Sequence, residues 1–264
     1  MNKRGLKGKL MGSGILLAVS PIVILGLVAY FITASNIEKD TQAKTTAFAK
    51  SASHLIDTVL LSESVNMALQ SRSVDVMEAL LEVNSGTPGE KVAKLQEALN
   101  SMQVYVRDRY EFIFVADTKG NVIADSINGE TKGINLSDRD YFRQAMGGNA
   151  SLDNVVINKK TGNPNLIIAQ PVITGDGGVV GVVGCALKVS FMADKLNEIK
   201  VGKTGYLYVV NKEGMFLIHP DEKRVLKTNI KVEKGMEKFA ALIFSGKEGV
   251  GEYELKGVKK FAAF

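Results

Sequence analysis

The sequence predicts an α+β protein in which a transmembrane helix and a long exported helix precede two antiparallel-sheet modules in tandem. Three observations support this fold class. An uncharged segment, residues 10–37, is long enough to cross a bilayer. Residues 35–70 contain neither Pro nor Gly and place apolar side chains at helical spacing. After residue 110 the pattern changes to short β-rich runs between glycine-containing turns, and it occurs twice.

The N-terminus predicts a cytoplasmic basic tail, residues 1–9, and a transmembrane signal anchor, residues 10–33. A helix over the anchor is roughly 36 Å long, enough to cross a hydrocarbon core of ~30 Å. The alternative is a cleaved signal peptide, whose apolar region usually runs only about 7–15 residues. Because positive flanks stay in the cytoplasm, we expect a single pass through the inner membrane, with residues 35–264 extracytoplasmic.

The formal net charge of +5 comes mainly from the tail, since Lys3, Arg4, Lys7 and Lys9 supply four of the five charges. The rest of the sequence has no basic patch with interleaved aromatic residues, so nucleic-acid binding is not expected. The single cysteine, Cys185, cannot form an internal disulfide and lies in an apolar run, which predicts a small buried side chain.

Residues 34–110 predict a long helical stalk region. An amphipathic helix leaves the membrane and extends to about residue 70, and helical character continues over residues 73–84. The segment SGTPG at 85–89 breaks this pattern, and a further helix runs to about residue 109. Taken alone, these residues favour the alternative of a helical bundle.

Residues 111–198 predict the first sheet module. FIFVAD and VIAD form a hairpin around the turn TKGN, and NLIIAQPVI and VVGVVGCALKVS form two further strands around TGDGG. The stretch LSDRDYFRQAMGGN, residues 136–149, lies between these two pairs and predicts one helical excursion from the sheet. MADKLNEIKVG follows as a short linking helix.

Residues 199–264 repeat the pattern in part. KTGYLYVVNKEGMFLIHPD, residues 203–221, aligns with FIFVADTKGNVIAD at an offset of about 94 residues. An amphipathic helix with Phe239, Leu242 and Ile243 directed inward follows, and GEYELKGVKKFAAF begins another hairpin. Because no further strands complete this second sheet, we expect a truncated module in the N-terminal part of a longer protein.

These segments, in this order, resemble the double Cache (dCache) sensor domains of bacterial methyl-accepting chemotaxis proteins and related transmembrane receptors. The resemblance rests on FIFVADTKGNVIAD, LSDRDYFRQAMGGN, TGNPNLIIAQPVITGDGGVVGVVG and KTGYLYVVNKEGMFLIHPD, and it covers about residues 35–264. It implies two PAS-like modules, of which residues 111–198 are membrane-distal and bind a small molecule, and residues 199–264 are membrane-proximal. It also implies a homodimer formed through the long helix and a signal passed across the membrane to a cytoplasmic output.

The function implied by the resemblance is a non-enzymatic, extracytoplasmic sensing input of a chemoreceptor, with no cofactor and no metal site. The alternative is the same input domain on a sensor histidine kinase or a diguanylate cyclase, whose catalytic domain would lie outside this sequence. A third hypothesis is an anchored extracytoplasmic enzyme or solute-binding protein, but the sequence offers neither a catalytic constellation nor a parallel α/β pattern. His54 and His219 form no His cluster, and we expect His219 to be structural.

The stretch 136–149 carries three candidate ligand contacts: Arg139, Tyr141 and Phe142. Arginine binds a carboxylate through two parallel hydrogen bonds, and aromatic neighbours shield such a pair from water. The resemblance places this stretch along the distal pocket. The alternative is that Arg139 bridges Asp138 or Asp140 at the surface while the two aromatic residues anchor the helix to the sheet.

Two departures from the amino-acid-sensing branch of the family bear on the ligand. That branch has Arg-x-Trp-Tyr where this sequence has Arg-Asp-Tyr-Phe, and an Asp for the ligand's ammonium near the position of Ala186. Since a buried ammonium without a counter-charge is costly, we expect an organic acid rather than an amino acid. Asp153, Asn154 and Asn158 are further candidate contacts in the pocket-facing segment, although Asn and Asp are also common turn formers.

Overall fold

The structure, a computed structural model, describes residues 3–86, 89–158 and 161–264, apart from the side chains of residues 3–18, 153 and 154. Helix α1, Lys3–Gln70, contains 68 residues. It joins the predicted membrane anchor and the first predicted stalk helix into one uninterrupted helix, with Pro21 inside it. The apolar part of α1 near the N-terminus is long enough to span a membrane, and Ile22 there is 70% exposed.

Helices α2, Val74–Asn84, and α3, Glu90–Val106, complete the stalk region. The two helices run antiparallel, since Lys91 Nζ lies 2.7 Å from Glu78 Oε2 and Lys94 Nζ lies 2.8 Å from Asp75 Oδ1. Their shared apolar face packs in one cluster with α1 and the following sheet. These helices therefore form a layer over the sheet rather than an independent bundle.

Five strands form one antiparallel sheet in the order β2-β1-β5-β4-β3. Their bounds are β1 Tyr110–Ala116, β2 Val122–Asp125, β3 Ser151–Ile157, β4 Pro164–Ile173 and β5 Val179–Lys188. Helix α4, Asp140–Met146, is the predicted excursion. The sequence predicts four of these strands but not β3, whose Asp153 and Asn154 are turn-favouring residues. Pairing with β4 makes that segment a strand.

The two faces of the sheet pack on different layers. Ile113 and Val115 of β1 face the layer of α1, α2 and α3, whereas Phe112 and Phe114 face α4. This alternation is that of a strand buried on both faces. Cys185 is fully buried on the helical side, as its apolar surroundings predict.

The second module is smaller and contains two separate two-stranded sheets, β6–β7 and β8–β9. A linking helix, α5 Val189–Asn197, precedes it. The elements of this module are β6 Val209–Val210, β7 Phe216–Ile218, α6 Glu237–Ile243, β8 Val250–Leu255 and β9 Val258–Ala263. The predicted inward face of α6 is wrong at Leu242, which is 46% exposed. The helix packs on its module through Phe239, Ala240 and Ile243, which leaves Leu242 at the rim.

The two modules share a hairpin-and-loop unit, residues 117–136 and 211–230. The amide of Asn121 donates to Asp117 Oδ1 at 2.8 Å, and 94 positions later the amide of Met215 donates to Asn211 Oδ1 at 2.8 Å. The backbone bonds that close the unit correspond in the same way and join Leu136 to Gly120 and Ile230 to Gly214. The loose repeat in the sequence is therefore a repeat of specific hydrogen bonds.

Candidate functional site

A cavity lies between helix α4, the sheet face that packs on it, and the loop that connects β2 to α4. The centres of water molecules can occupy about 40 Å³ of it, where one water needs about 10–15 Å³. The cavity therefore has room for a small ligand. Eight apolar and four polar residues line it: Phe112, Phe114, Val122, Ile134, Leu136, Val156, Ile157 and Ile167, with Thr131, Arg139, Tyr141 and Asn158.

Asp125 holds the loop that forms one wall of the cavity. Its carboxylate is fully buried and accepts hydrogen bonds from the amides of Ile127, Gly129 and Thr131 at 2.6–2.9 Å, and from the Thr131 hydroxyl at 2.6 Å. Asn128 and Gly129 have left-handed backbones, with φ of 60° and 77°, which lets the chain turn around the carboxylate. The loop thereby presents Thr131 to the cavity.

Arg139 is the cationic residue among the described residues that line the cavity. It directly precedes α4, and its side chain is 25% exposed. Its Nε atom is buried and has no hydrogen-bond partner in the part of the chain that the structure describes. Asp138 Oδ1 lies 4.0 Å from this atom, which is a long ion pair but not a hydrogen bond, so the alternative of a bridge to Asp138 is present in weak form. Asp140 pairs with Arg143 instead. Arg139 Nε is thus a buried donor beside the cavity.

The two aromatic residues that follow have different positions. Tyr141 is 5% exposed and lines the cavity, with its ring centroid 6.3 Å from that of Phe114. Phe142 is 4% exposed and packs in the same core cluster, but it is not part of the cavity wall. Tyr141 therefore lies in the cavity wall, whereas Phe142 packs between α4 and the sheet, and the ligand contacts of both residues stay predictions.

Asn158 lines the cavity just after β3 and also holds the connection from β3 to β4. Its Oδ1 accepts a hydrogen bond from the amide of Thr161 at 3.1 Å, and its Nδ2 donates to Asn165 Oδ1 at 3.1 Å. Asn158 therefore stabilises a turn and also lines the cavity. Asp153 and Asn154 belong to β3, but their side chains lie outside the described residues, so their ligand contacts stay predictions.

Most of the residues that line the cavity are not predicted from the sequence as ligand contacts. Thr131 and Ile134 come from the loop after β2, whose path depends on a buried carboxylate, and Val156 and Ile157 come from the unpredicted strand β3. Phe112 has a usable signal, because every second residue of FIFVAD shares one face of the strand.

The described residues that line the cavity include no Asp or Glu. Ala186, near the position where the resemblance indicates an ammonium-binding Asp, is fully buried in β5 and is paired with Phe112 and Ile167 of the neighbouring strands. The cavity thus combines one guanidinium and three neutral polar groups with apolar walls. Such a site favours a small anion with a short apolar part.

The second module differs at the equivalent place. The residue before α6 is Met236, which is 1% exposed and packs in a core cluster with Phe239 and Tyr253. A larger open groove of about 920 Å³ lies between α1, β6 and β9. By order along the chain, β6 corresponds to β1 of the first module and β9 corresponds to β4. In the first module β5 lies between β1 and β4 and pairs with both. Strand edges therefore form part of the walls of this groove, together with polar side chains such as Lys50, Tyr206 and Lys260.

The amino-acid sequence is similar to those of bacterial chemoreceptors. Residues 32–264 match the Cache domain family (dCache_1). The methyl-accepting chemotaxis protein McpA of Bacillus subtilis (strain 168) is 23% identical over 267 residues, which cover 100% of this chain and 37% of McpA. This chain spans 34–37% of the length of the first two chemotaxis proteins that it matches.

Solved structures share the fold at low sequence identity. The ligand-binding domain of the Pseudomonas fluorescens chemoreceptor CtaA in complex with L-serine has a TM-score of 0.59 and 20% identity, covering 87% of this chain and 88% of that chain. The sensor domain of the V. cholerae histidine kinase DctB has a TM-score of 0.62 and 15% identity, covering 82% and 88%. These structures confirm the predicted α+β architecture with tandem PAS-like modules.

Proposed function

Because this chain belongs to the Cache-domain family, we propose that it is the extracytoplasmic sensing input of a transmembrane chemoreceptor and binds a small carboxylate-bearing molecule in the cavity of its first module. The relatives that match over most of the chain are chemotaxis proteins. This favours a chemoreceptor over the input domain of a sensor histidine kinase, the alternative that DctB represents.

The observation that carries the proposal is the buried Nε donor of Arg139, which lacks a hydrogen-bond partner among the described residues. A buried donor of a charged group destabilises the protein until it finds an acceptor. A carboxylate supplies two acceptor oxygens in the geometry of a guanidinium. Tyr141 and Thr131 lie in the same wall. Because the Thr131 hydroxyl donates its proton to Asp125, its oxygen can only accept a hydrogen bond, such as one from a hydroxyl group of the ligand.

Within this class we propose an organic acid rather than an amino acid. The described lining residues supply no carboxylate for an ammonium, and burying an uncompensated ammonium is costly. The second candidate is an α-amino acid, the class to which the L-serine bound by CtaA belongs. Its ammonium would need Asp153, the acidic residue of β3.

The domain organisation that we propose follows the predicted boundaries. Residues 1–9 are the cytoplasmic tail, 10–33 the inner-membrane anchor, 34–110 the stalk region, 111–198 the membrane-distal sensing module and 199–264 the membrane-proximal module. The exported part of α1 forms the contact of a homodimer. Supporting this, Leu61, Val65 and Leu69 recur every four residues on α1 and are 68%, 50% and 63% exposed, an apolar stripe that a second copy would cover.

Thermal unfolding of the purified chain with acetate, propionate, lactate, L-serine or L-alanine tests the ligand class. A ligand present at about 100 times its Kd raises the free energy of unfolding by about 2.7 kcal/mol. We expect stabilisation by an organic acid and none by the amino acids. The reverse result supports the second candidate, and no stabilisation by any of the five overturns the proposed site.

The variant Arg139→Gln tests the guanidinium. Losing a charged, paired hydrogen bond costs about 2–5 kcal/mol, so we expect the affinity for the stabilising ligand to fall about 30-fold or more. Arg143→Gln is the matched control, because its side chain is 58% exposed on the same helix. Equal affinities of the two variants, measured by calorimetry, would contradict a ligand role for Arg139.

A further inference from the structure

We infer that Glu63 couples the ligand cavity to helix α1 through a buried polar cluster, an inference that rests on the proposed function. We call Glu63, Ser64, Arg109, Tyr110 and Gln170 the coupling cluster. It lies between α1 and the face of the sheet opposite the cavity. None of these five residues lines the cavity, so they act through the strands and not by touching a ligand.

Glu63 is a carboxylate within the largely apolar layer between α1 and the sheet, and it is 3% exposed. Its Oε2 accepts hydrogen bonds from the Tyr110 hydroxyl and from Asn66 Nδ2, the latter at 3.0 Å. Its Oε1 lies 3.3 Å from Arg109 Nη1. Because an unpaired carboxylate is costly to bury, these partners fix Glu63, and with it α1, to the start of β1.

A bulge in β1 connects the coupling cluster to the cavity wall. The register with β5 shifts between Tyr110 and Phe112, so Tyr110 faces α1 whereas Phe112, two residues later, lines the cavity. Without the shift, strand alternation would place both side chains on one face. Burial raises the pKa of the Tyr110 hydroxyl, and the hydrogen bond to Glu63 raises it further. The hydroxyl therefore remains a donor to Glu63.

A second strand connects to the next residue of α1. Gln170 Nε2 donates to the backbone oxygen of Ser64 at 3.3 Å and lies 3.1 Å from Ser64 Oγ. Gln170 belongs to β4, three residues after Ile167, which lines the cavity. Two strands of the cavity wall are thus hydrogen-bonded to consecutive residues of one helix.

Directional bonds are what allow this cluster to transmit movement. Apolar contacts between α1 and the sheet resist separation but are non-directional and permit sliding. Hydrogen bonds, especially those to a charged group, fix distance and angle. A ligand that displaces Phe112 or Ile167 therefore displaces α1 at Glu63 and Ser64. Since α1 is continuous back to residue 3, the displacement is carried along the helix toward the membrane.

The test uses the full chain in nanodiscs, with propionate and L-serine as probes. Calorimetry measures the Kd, and hydrogen exchange measures the probe-induced change in the amides of residues 40–60 of α1. We expect Tyr110→Phe to keep the wild-type Kd and to lose the change in α1. Tyr105→Phe, a tyrosine on α3 that is 85% exposed, is the matched control and should keep both.

A wild-type response of α1 in Tyr110→Phe overturns the inference. If Tyr110→Phe does not fold, Gln170→Leu gives the same test through β4, with the same expected loss. If a probe binds the wild type without changing exchange in α1, the inference fails while the proposed function stands. If neither probe binds the wild type, the inference fails, and the proposed function fails with it only if acetate, lactate and L-alanine also leave the wild type unstabilised.

Discussion

Asp125 and His219 occupy equivalent positions, 94 residues apart, and each accepts a hydrogen bond from the amide two residues later. Asp125 Oδ1 accepts from Ile127 at 2.9 Å, and His219 Nδ1 accepts from Asp221 at 2.8 Å. A carboxylate has sites for several donors, whereas a neutral imidazole nitrogen has one. In the first module the additional bonds to Asp125 reach as far as Thr131. The residue at this position, Asp125 or His219, therefore determines how many backbone amides of the following loop are hydrogen-bonded to it.

The equivalent His219 makes the second module sensitive to pH. It is 8% exposed and packs against Tyr206 and Phe216. Burial lowers the pKa of His219 below 6.5, and Arg224 lowers it further. The folded state thus prefers the neutral ring, so the stability that depends on it is fully present above about pH 6.5 and is lost as the pH falls through the lowered folded-state pKa.

We therefore expect His219→Asn to flatten the pH dependence of the free energy of unfolding below about pH 6.5. The asparagine keeps an acceptor for the amide of Asp221 and removes the titrating group. Denaturant unfolding at a series of pH values measures the slope. The control is His54→Asn, since His54 is the other histidine and is exposed on α1. A slope in His219→Asn as steep as in the wild type would refute the assignment.

At the scale of elements, a glycine in strand β5 leaves room for an aromatic ring of the cavity wall. Gly184 is paired with Phe114 of β1 and with Ala169 of β4. A Cβ atom on Gly184 would lie 2.7 Å from Ile168 O and 2.7 Å from Phe114 Cζ. The ring of Phe114, which lines the cavity, therefore occupies space that only a glycine leaves open.

We expect Gly184→Ala to lower the free energy of unfolding by about 1–3 kcal/mol, the usual effect of overpacking. The displaced ring of Phe114 also narrows the cavity and weakens ligand binding. Urea unfolding and calorimetry measure the two effects. Gly175→Ala is the matched control, because nothing lies within 4 Å of a Cβ atom there. Equal stability of the two variants would show that the ring has room to move.

Local patterns predict the helices and hairpins because their periodicity and turns lie within a few residues of each other. Strand β3 is not predicted in this way, because SLDNVVI has no clear strand pattern of its own. It is a strand because it pairs with β4. The candidate site divides in the same way. Arg139 and Tyr141 are found from a residue pattern, whereas Thr131 reaches the cavity only because Asp125 is buried. The burial of a carboxylate such as that of Asp125 is set by the whole fold and has no local sequence signal.

At the scale of the whole molecule, α1 is the element that both modules share. Lys50 Nζ lies 2.9 Å from Glu248 Oε2 of the second module, and farther along the same helix Glu63 and Ser64 contact the first. Ile218 of β7 is buried in the same core cluster as the helical face of the first sheet. Helix α1 is therefore in direct contact with both modules.

The proposed topology can be tested with cysteine labelling. The native Cys185 is fully buried, and burial raises the pKa of its thiol, so the folded wild type should not react with a membrane-impermeant maleimide. Ala43 is exposed on α1 beyond the apolar segment, and we expect Ala43→Cys to be labelled in intact cells. Lys7→Cys should react only after permeabilisation. If Ala43→Cys were labelled only after permeabilisation, the protein would have the opposite orientation in the membrane.

The 94-residue correspondence between the two modules ends at Leu136 and Ile230, and the residues beyond these points differ between the modules. At both ends of the unit the hydrogen bonds of one module match those of the other, from Asp117 and Asn211 to Leu136 and Ile230. The second module then takes three more residues to reach its helix, and a buried Met236 stands where the first module has Arg139. The same hairpin-and-loop unit therefore leads to an arginine beside a cavity in the first module and to a methionine in a core cluster in the second.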